Sequence, residues 1–434
     1  MEIVAALETP VRIRDLQRAL YLRAKKDPHF RAYALYDKVY RLDILTHAYA
    51  LARANGGAPG PDGQTFEQID ADGQDVRLAQ LHDELKTHTY RPGPVRRVYI
   101  PKLSGGERPL GIPNIRDRVV QTAVKLLLEP LFEADFGPDS YGFRPKRHAH
   151  QALDAIRDAL HDGMYWVIDA DVQAYFDTIP HDRLMKTVAE RVVDGAMLAL
   201  VKQFLEAPII DERDDGRPRR PRQGTPQGGV ISPLLANVYL HLLDRTFRTR
   251  VERGDLHGRL VRYADDLVVL VPHRPDRELA WLHRLLTRLG LVLHPAKTRV
   301  LDARQGTFAF LGHTHRWRYD RRLYLDVAPK TLRRIRDELR RKTRHPGLSL
   351  EALVTDLNPY IRGARHYFRR VRRRTLGKLD RFVEQRVARW WARKHSRHLP
   401  AWSLVQREAL WRQHGLERWN LPVALRPADS RPAR

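Results

Sequence analysis

The chain has 434 residues, with 78 Lys and Arg against 52 Asp and Glu for a formal charge of +26, 42% hydrophobic residues and no cysteine. The hydrophobic share can bury a core over roughly three domain-sized units, which excludes a disordered basic tail. Without cysteine there is no disulfide framework, Cys-ligated zinc or thiol nucleophile, so nothing requires an oxidising compartment and a cytoplasmic location is expected. Glu2, Glu8, Arg12, Arg14 and Asp15 interrupt the N-terminal stretch, and no later run is long and apolar enough for a bilayer. Neither a signal peptide nor a membrane partner is expected.

In chain order, residues 1–54 read as helical, with Leu16, Leu20, Leu42, Leu45 and Tyr49 at apolar positions. The Gly- and Pro-dense run from Asn55 to Gly63 is a loop, and a helix follows from Gly73 to Thr87. Val95 to Lys102, the tip Ser104-Gly105-Gly106 and the return Arg108 to Ile112 form a hairpin with Lys102 and Arg108 on its two arms, where they could clamp a triphosphate. Asp117 to Phe132 has helical spacing and stops before Gly137-Pro138. Met164 to Asp171 alternates as a strand, with Val167, Asp169 and Asp171 on one face. Gln223 to Gly229 is a glycine-rich loop suited to the floor under a base or sugar; it enters a helix at Ser232-Pro233, read as a hydroxyl cap followed by proline. Arg259 to Tyr263 and Leu267 to Val271 flank Ala264-Asp265-Asp266, a second hairpin with two acids at its turn. Beyond Leu332 the pattern is helical, with Leu332, Ile335 and Leu339 on one face. The chain therefore reads as an α+β body followed by an all-α module.

Adjacent carboxylates between two apolar strands repel each other and resist burial, and a divalent cation removes both objections. Hard oxygen ligands favour Mg²⁺. A third carboxylate from the strand ending near Asp171 would complete a site for two-metal phosphoryl transfer, but periodicity leaves Asp169 and Asp171 open, and Asp177 lies further on. The charge is also lopsided. Thr331 to Arg434 holds 27 basic and 9 acidic residues, net +18, as in a grip on a polyanion. Tyr360, Tyr367, Phe368, Trp390, Trp391, Trp402, Trp411 and Trp419 are interleaved with these arginines. They could stack on bases, though most are expected in the core.

Together these strings resemble the reverse transcriptase and maturase proteins encoded by group II introns, in a form without an HNH endonuclease domain, from about Arg41 to Trp419. Asn55 to Gly63 resembles the N-terminal extension motif, and Tyr99 to Pro113 with Asp117 to Gln121 the fingers. Ser140-Tyr141-Gly142-Phe143-Arg144-Pro145 is similar to the next block, Asp171 to Asp177 to the first catalytic motif, Gln223 to Gly229 to the template-primer motif, and Tyr263 to Asp266 to the metal turn. Lys297-Thr298 and Phe310 to His313 resemble later palm motifs, and Asn358 to Gly363 with Tyr367-Phe368 the maturase domain that serves as thumb.

The resemblance implies a right-hand polymerase: a helical N-terminal extension (1–54), fingers and palm with an antiparallel sheet (55–320), and a basic helical thumb or maturase domain (321–434). Asp171, Asp265 and Asp266 are then the catalytic acids, joined by Val172 in a site for two Mg²⁺ ions. Lys102, Arg108, Phe176, Gln223 and Lys297 are expected at the incoming nucleotide, with Phe176 under the deoxyribose. Arg144, Pro226, Gln227, Gly228 and Tyr263 are expected at the template and primer, and Arg362, Arg365, Arg369, Arg370, Arg372 and Arg373 on RNA. Gln173 and Ala174 depart from the family, where many relatives have Lys and Gly. The implied partners are group II intron RNA, an RNA template with a DNA primer, dNTPs and target DNA, which the chain is not expected to cut. Two alternatives are a splicing maturase with little polymerase activity and a related reverse transcriptase recruited to host defence.

Overall fold

The structure, a computed structural model, describes residues 7–101, 106–214, 216–317, 323–395 and 410–420. Lys102 and Trp402, both singled out by sequence, lie outside the described residues. Packing divides the chain into two compact units, residues 2–302 and 303–434.

The first unit opens with helices α1 (Val11–Lys26), α2 (Tyr36–Val39), α3 (Leu42–Asn55), α4 (Phe66–Asp72) and α5 (Gln74–Lys86). The helical reading of residues 1–54 is thus broken into three. Helix α4 starts at a reciprocal cap: Thr65 accepts from the Gln68 amide, and the Gln68 side chain accepts from the Thr65 amide. Strands β1 (Val95–Pro101) and β2 (Glu107–Ile112) follow, then helices α6 (Ile115–Glu133) and α7 (Ala149–His161). Strand β3 (Trp166–Asp171) leads into α8 (Tyr175–Thr178), α9 (His181–Val188), α10 (Gly195–Leu205) and strand β4 (Ile209–Asp211). Helix α11 (Ser232–Glu252), the hairpin β5 (Arg259–Tyr263) and β6 (Asp266–Val271), α12 (Asp276–Arg288) and β7 (Arg299–Asp302) complete the unit.

Two sheets organise it. In one, β1 pairs antiparallel with β2 and parallel with β4. The other is fully antiparallel in the order β5-β6-β3-β7. Leu267 to Val271 are all buried, so β6 is covered on both faces and reads as a continuous apolar run. Helix α6 is the main apolar post, with Val120, Ala123, Val124, Leu127, Leu128 and Leu131 at no exposure. The start of α11 differs from the capped start read from sequence. Ile231 occupies the cap position without a side-chain cap bond, and the Ser232 hydroxyl instead accepts from Thr225 Oγ1 at 2.7 Å.

The second unit begins with a three-stranded antiparallel sheet of β8 (Phe308–Phe310), β9 (His313–Trp317) and β10 (Leu323–Val327). Helices α13 (Pro329–Lys342), α14 (Leu350–Tyr367) and α15 (Arg373–Lys394) follow. Packing therefore groups the strands from residue 308 onward with the helices, and β10 lies inside the segment read from sequence as all-α. The interleaved aromatics divide: Phe368, Trp390 and Trp419 are core, while Tyr360, Tyr367, Trp391 and Trp411 are half-buried. Trp390 is 1% exposed and its indole N–H donates to the His345 carbonyl at 2.9 Å. Replacing it with alanine is expected to cost about 3–5 kcal/mol, read as a lower urea midpoint for loss of structure in the C-terminal unit.

Candidate active site

The turn between β5 and β6 is built from both sides. Tyr263 pairs with Asp266, and Ala264 takes a left-handed backbone at φ 58°. Behind it sits Arg262, a guanidinium with no exposure that follows the buried Leu260 and Val261 in β5. It donates to Asp244 at 2.6 Å, to the Asn237 side-chain oxygen at 2.8 Å, to the Ser140 hydroxyl at 2.7 Å and to the Ala264 carbonyl at 2.9 Å. One side chain thus joins α11, the segment around residue 140 and the acid turn. The same segment is bonded to β5 through the amides of Arg262 and Tyr141, each at 2.9 Å. Asn237 closes the ring by donating to the Gly142 carbonyl at 2.8 Å. Gly142 lies so close under the turn that a Cβ would overlap the Ala264 backbone nitrogen, so only glycine fits.

Strand β3 supplies the third acid. Its register sets Asp171 directly across from Asp266, while Asp169 faces Val268 and is bonded to Arg299 of β7 at 3.3 Å. Asp171 carries Lys297 at 3.1 Å, and its carbonyl accepts from the His294 amide at 2.8 Å. Val172 follows in a backbone bridge to Leu293. The carboxylates strain one another. Loss of solvation, then Asp265, Asp171 and Asp169, push the Asp266 carboxyl up to about 6 against the pull of Lys297. Burial also raises Asp265, as does Asp171, with Arg108 and Arg262 opposing. Three oxygen-donor acids, Asp171 on β3, Asp266 on β6 and Asp265 in the turn before it, held at the cost of mutual repulsion, fit a hard divalent cation.

Beyond Asp171 the chain turns through Ala174 at φ 46°, a conformation glycine adopts without strain. The turn packs Tyr175 and Phe176 inward, with Tyr175 donating to the Ala236 carbonyl at 2.6 Å. Phe176 meets Phe143 edge-on at 6.5 Å between ring centroids, and Phe143 is 51% exposed. The loop Gln223 to Gly229 threads between this turn and β2. The Thr225 amide donates to the Phe176 carbonyl at 2.7 Å, and the Gly111 amide to the Gln227 carbonyl at 2.5 Å. A Cβ on Gly228 would overlap the Gly111 carbonyl. Arg108 donates to the Gln227 side-chain oxygen at 2.6 Å, and Gln227 reaches Asp177 at 3.4 Å. Arg108, Pro226, Gln227, Gly228 and Phe176 are thereby brought together. Gln223 is exposed, its backbone bridged to Pro180.

Arg144 does not fit the template contact expected of it. Its side chain is 2% exposed and forks onto Glu133 at 2.6 and 2.9 Å while donating to the Gly137 and Ser140 carbonyls. It braces the segment beneath the acid turn. Among the arginines expected on RNA, Arg362 and Arg365 both pair with Glu417, and Arg365 also donates to the Arg418 carbonyl at 3.0 Å. Arg372 pairs with Asp326, and Arg370 is half-buried. Arg369 and Arg373 are exposed. Sequence reasoning missed Arg262, Asn237 and Phe143. A cation directly after the apolar pair Leu260-Val261, inside the strand Arg259 to Tyr263, was the available signal for the first.

Gly142→Ala is expected to displace the acid turn and slow primer extension, with the fold retained by circular dichroism. A second expectation follows from Asp266. Its raised carboxyl keeps a proton that the unfolded chain has released between about pH 4 and 6, so stability of the metal-free protein falls as pH rises through that window. Asp266→Asn is expected to raise the metal-free melting temperature at pH 7 and to leave it unchanged below about pH 4.

The reverse transcriptase (RNA-dependent DNA polymerase) profile matches residues 100–315, and the group II intron maturase-specific domain matches residues 332–414. Protein YkfC of Escherichia coli is 36% identical over 338 residues, covering 69% of this chain and 87% of that protein. The group II intron-encoded protein LtrA of Lactococcus lactis is 38% identical over 215 residues, 49% of this chain and 34% of LtrA. An uncharacterised 91 kDa protein in a cob intron of Schizosaccharomyces pombe is 30% identical over 331 residues, covering 64% of this chain and 40% of that protein. The domain pair, in the order in which the acid-bearing sheet and the arginine-rich helices follow one another, places the chain in the group II intron-encoded family of reverse transcriptases with a maturase domain.

Proposed function

We propose that the chain extends a DNA primer along an RNA template and that it also holds group II intron RNA, assisting splicing and mobility. The observation that carries the polymerase reading is the register placing Asp171 across from Asp266, with Asp265 beside it in the turn. Asp171, Asp265 and Asp266, with the backbone of Val172, would hold two Mg²⁺ ions, which when bound supply charge stabilisation for the attacking 3′-oxygen and the departing pyrophosphate.

The remaining chemistry belongs to the chain's own residues. Arg108, already beside Gln227 and electrostatically coupled to Asp265, would meet the dNTP phosphates together with Lys102. Phe176, fixed by inward packing, would present its ring beneath the deoxyribose and exclude a 2′-hydroxyl by bulk. Gln223 is exposed for a contact to the nucleotide, and Pro226, Gln227, Gly228 and Tyr263 would line the template and primer. Lys297, paired with Asp171 in the metal-free chain, would turn toward the pyrophosphate and protonate it.

The maturase domain would bind intron RNA through exposed arginines of its helical unit, Arg369 and Arg373 foremost, with target DNA as a further polyanionic partner. The absence of cysteine suits the cytoplasm. Among the described residues no helix is long and apolar enough to cross a membrane.

Asp265→Asn is expected to reduce RNA-templated primer extension at least ~100-fold, the scale for loss of one preorganised charge-stabilising group, while leaving RNA binding intact. Persistent synthesis would refute the assignment, and joint loss of both activities would point to misfolding. In filter binding at several salt concentrations, Arg369→Gln and Arg373→Gln are each expected to weaken RNA affinity and to lower the slope of log affinity against log salt by about 1.

A further inference from the structure

The hairpin that carries Asp265 and Asp266 has a second chemical cluster at its open end. His257 precedes β5, His273 follows β6, and Glu278 lies in the first turn of α12. Ring nitrogens of the two histidines and a carboxylate oxygen of Glu278 all lie within 4.8 Å of one another. The imidazoles stand edge to face, 5.1 Å between centroids.

Two details give this cluster the character of a ligand set. Glu278 is 1% exposed, yet only one of its oxygens is engaged, accepting from the His257 backbone amide at 3.2 Å. Its Oε2 is buried and has no hydrogen-bond partner among the described residues. Leaving a carboxylate oxygen buried without a partner is costly, and a cation at that oxygen would remove the cost. The second detail is the tautomer of His273. Its Nδ1 lies 3.1 Å from the Arg274 carbonyl, which can only accept, so in the neutral ring Nδ1 carries the proton and Nε2 keeps its lone pair. That arrangement orients an imidazole to bind metal through Nε2.

We propose that His257, His273 and Glu278 bind one transition-metal dication of the zinc class, which ties together the two open ends of the catalytic hairpin and the start of α12. Two imidazoles and a carboxylate form a borderline donor set that suits Zn²⁺ and disfavours Mg²⁺, whose preferred ligands are all oxygen. A tetrahedral ion with bonds of about 2.0–2.1 Å brings its ligand atoms to roughly 3.4 Å apart, a closure of at most about 1.4 Å that rotation of two exposed rings supplies. The fourth position is left to water. The site lies roughly 20 Å along the strands from the acid turn. It can therefore stiffen the hairpin without entering the chemistry there.

The test uses the full chain, stripped by chelator and returned to buffer containing millimolar Mg²⁺ to saturate oxygen sites. Titration with Co²⁺ is expected to develop one equivalent of the visible absorption of a tetrahedral complex, displaced by one equivalent of Zn²⁺, and Zn²⁺ is expected to raise the melting temperature by several degrees. His257→Ala and His273→Ala, both at exposed positions, are expected to lose the absorption and the shift while melting like the parent without metal. Glu278→Gln is expected to weaken binding at least tenfold, and Asp265→Asn to leave it unchanged. Equal Co²⁺ binding by parent and His257→Ala would overturn the proposal, as would no binding at micromolar metal or loss of the signal in Asp265→Asn.

Discussion

A fully buried guanidinium, Arg262, governs the geometry on which the rest of the first unit depends. Burying a permanent positive charge completely is expensive, and the cost is offset only because Asp244 pairs with it and three further acceptors surround it. One acceptor is the Ala264 carbonyl, so the acid turn is fixed by the same side chain that fastens α11 and the segment through Ser140. Arg144 extends the bracing by forking onto Glu133. The turn is thereby a rigid element on which weak local preferences, such as the left-handed backbone at Ala264, are imposed by the surroundings.

Rigidity matters because the acids repel. Asp266 faces Asp171 across the sheet and adjoins Asp265, and a flexible turn would relax by separating them. Holding them together stores unfavourable energy in the metal-free chain. Lys297 relieves part of it at Asp171. Catalytic sites that stabilise developing charge are commonly preorganised in this way, at a cost to stability recovered when the ligand binds.

Both hairpins were legible in the sequence because short strand-forming runs bounded by turn residues are local signals. Local pattern does not carry cross-strand register. Asp169 and Asp171 share one face of β3, and alternation alone treats them alike; the pairings with β6 and β7 distinguish them, setting Asp171 across from Asp266 and Asp169 across from Arg299. Arg144 illustrates the opposite limit. An arginine in a motif close to the acids reads as a solvent-facing contact, and only its burial against Glu133 and two carbonyls reveals a brace. The short strands β8 to β10 escaped notice because runs such as His313 to Trp317 carry little apolar alternation. The cluster of His257, His273 and Glu278 was hidden for a topological reason: its members flank a hairpin whose closure brings them together.

The charge asymmetry of the chain now has a physical distribution. Much of the arginine surplus beyond Thr331 faces outward from a core of Leu353, Leu357, Val383 and Trp390, while some members, Arg365 and Arg372 among them, are used internally as ion pairs. The central claim is that the Arg262-braced turn and β3 assemble one metal-dependent polymerase site. Counting bound Mn²⁺ by electron paramagnetic resonance, with an RNA template, a chain-terminated DNA primer and a matching dNTP, tests it most directly. Two ions in the parent and a lower count in Asp171→Asn are predicted; equal counts in the two proteins would contradict the account.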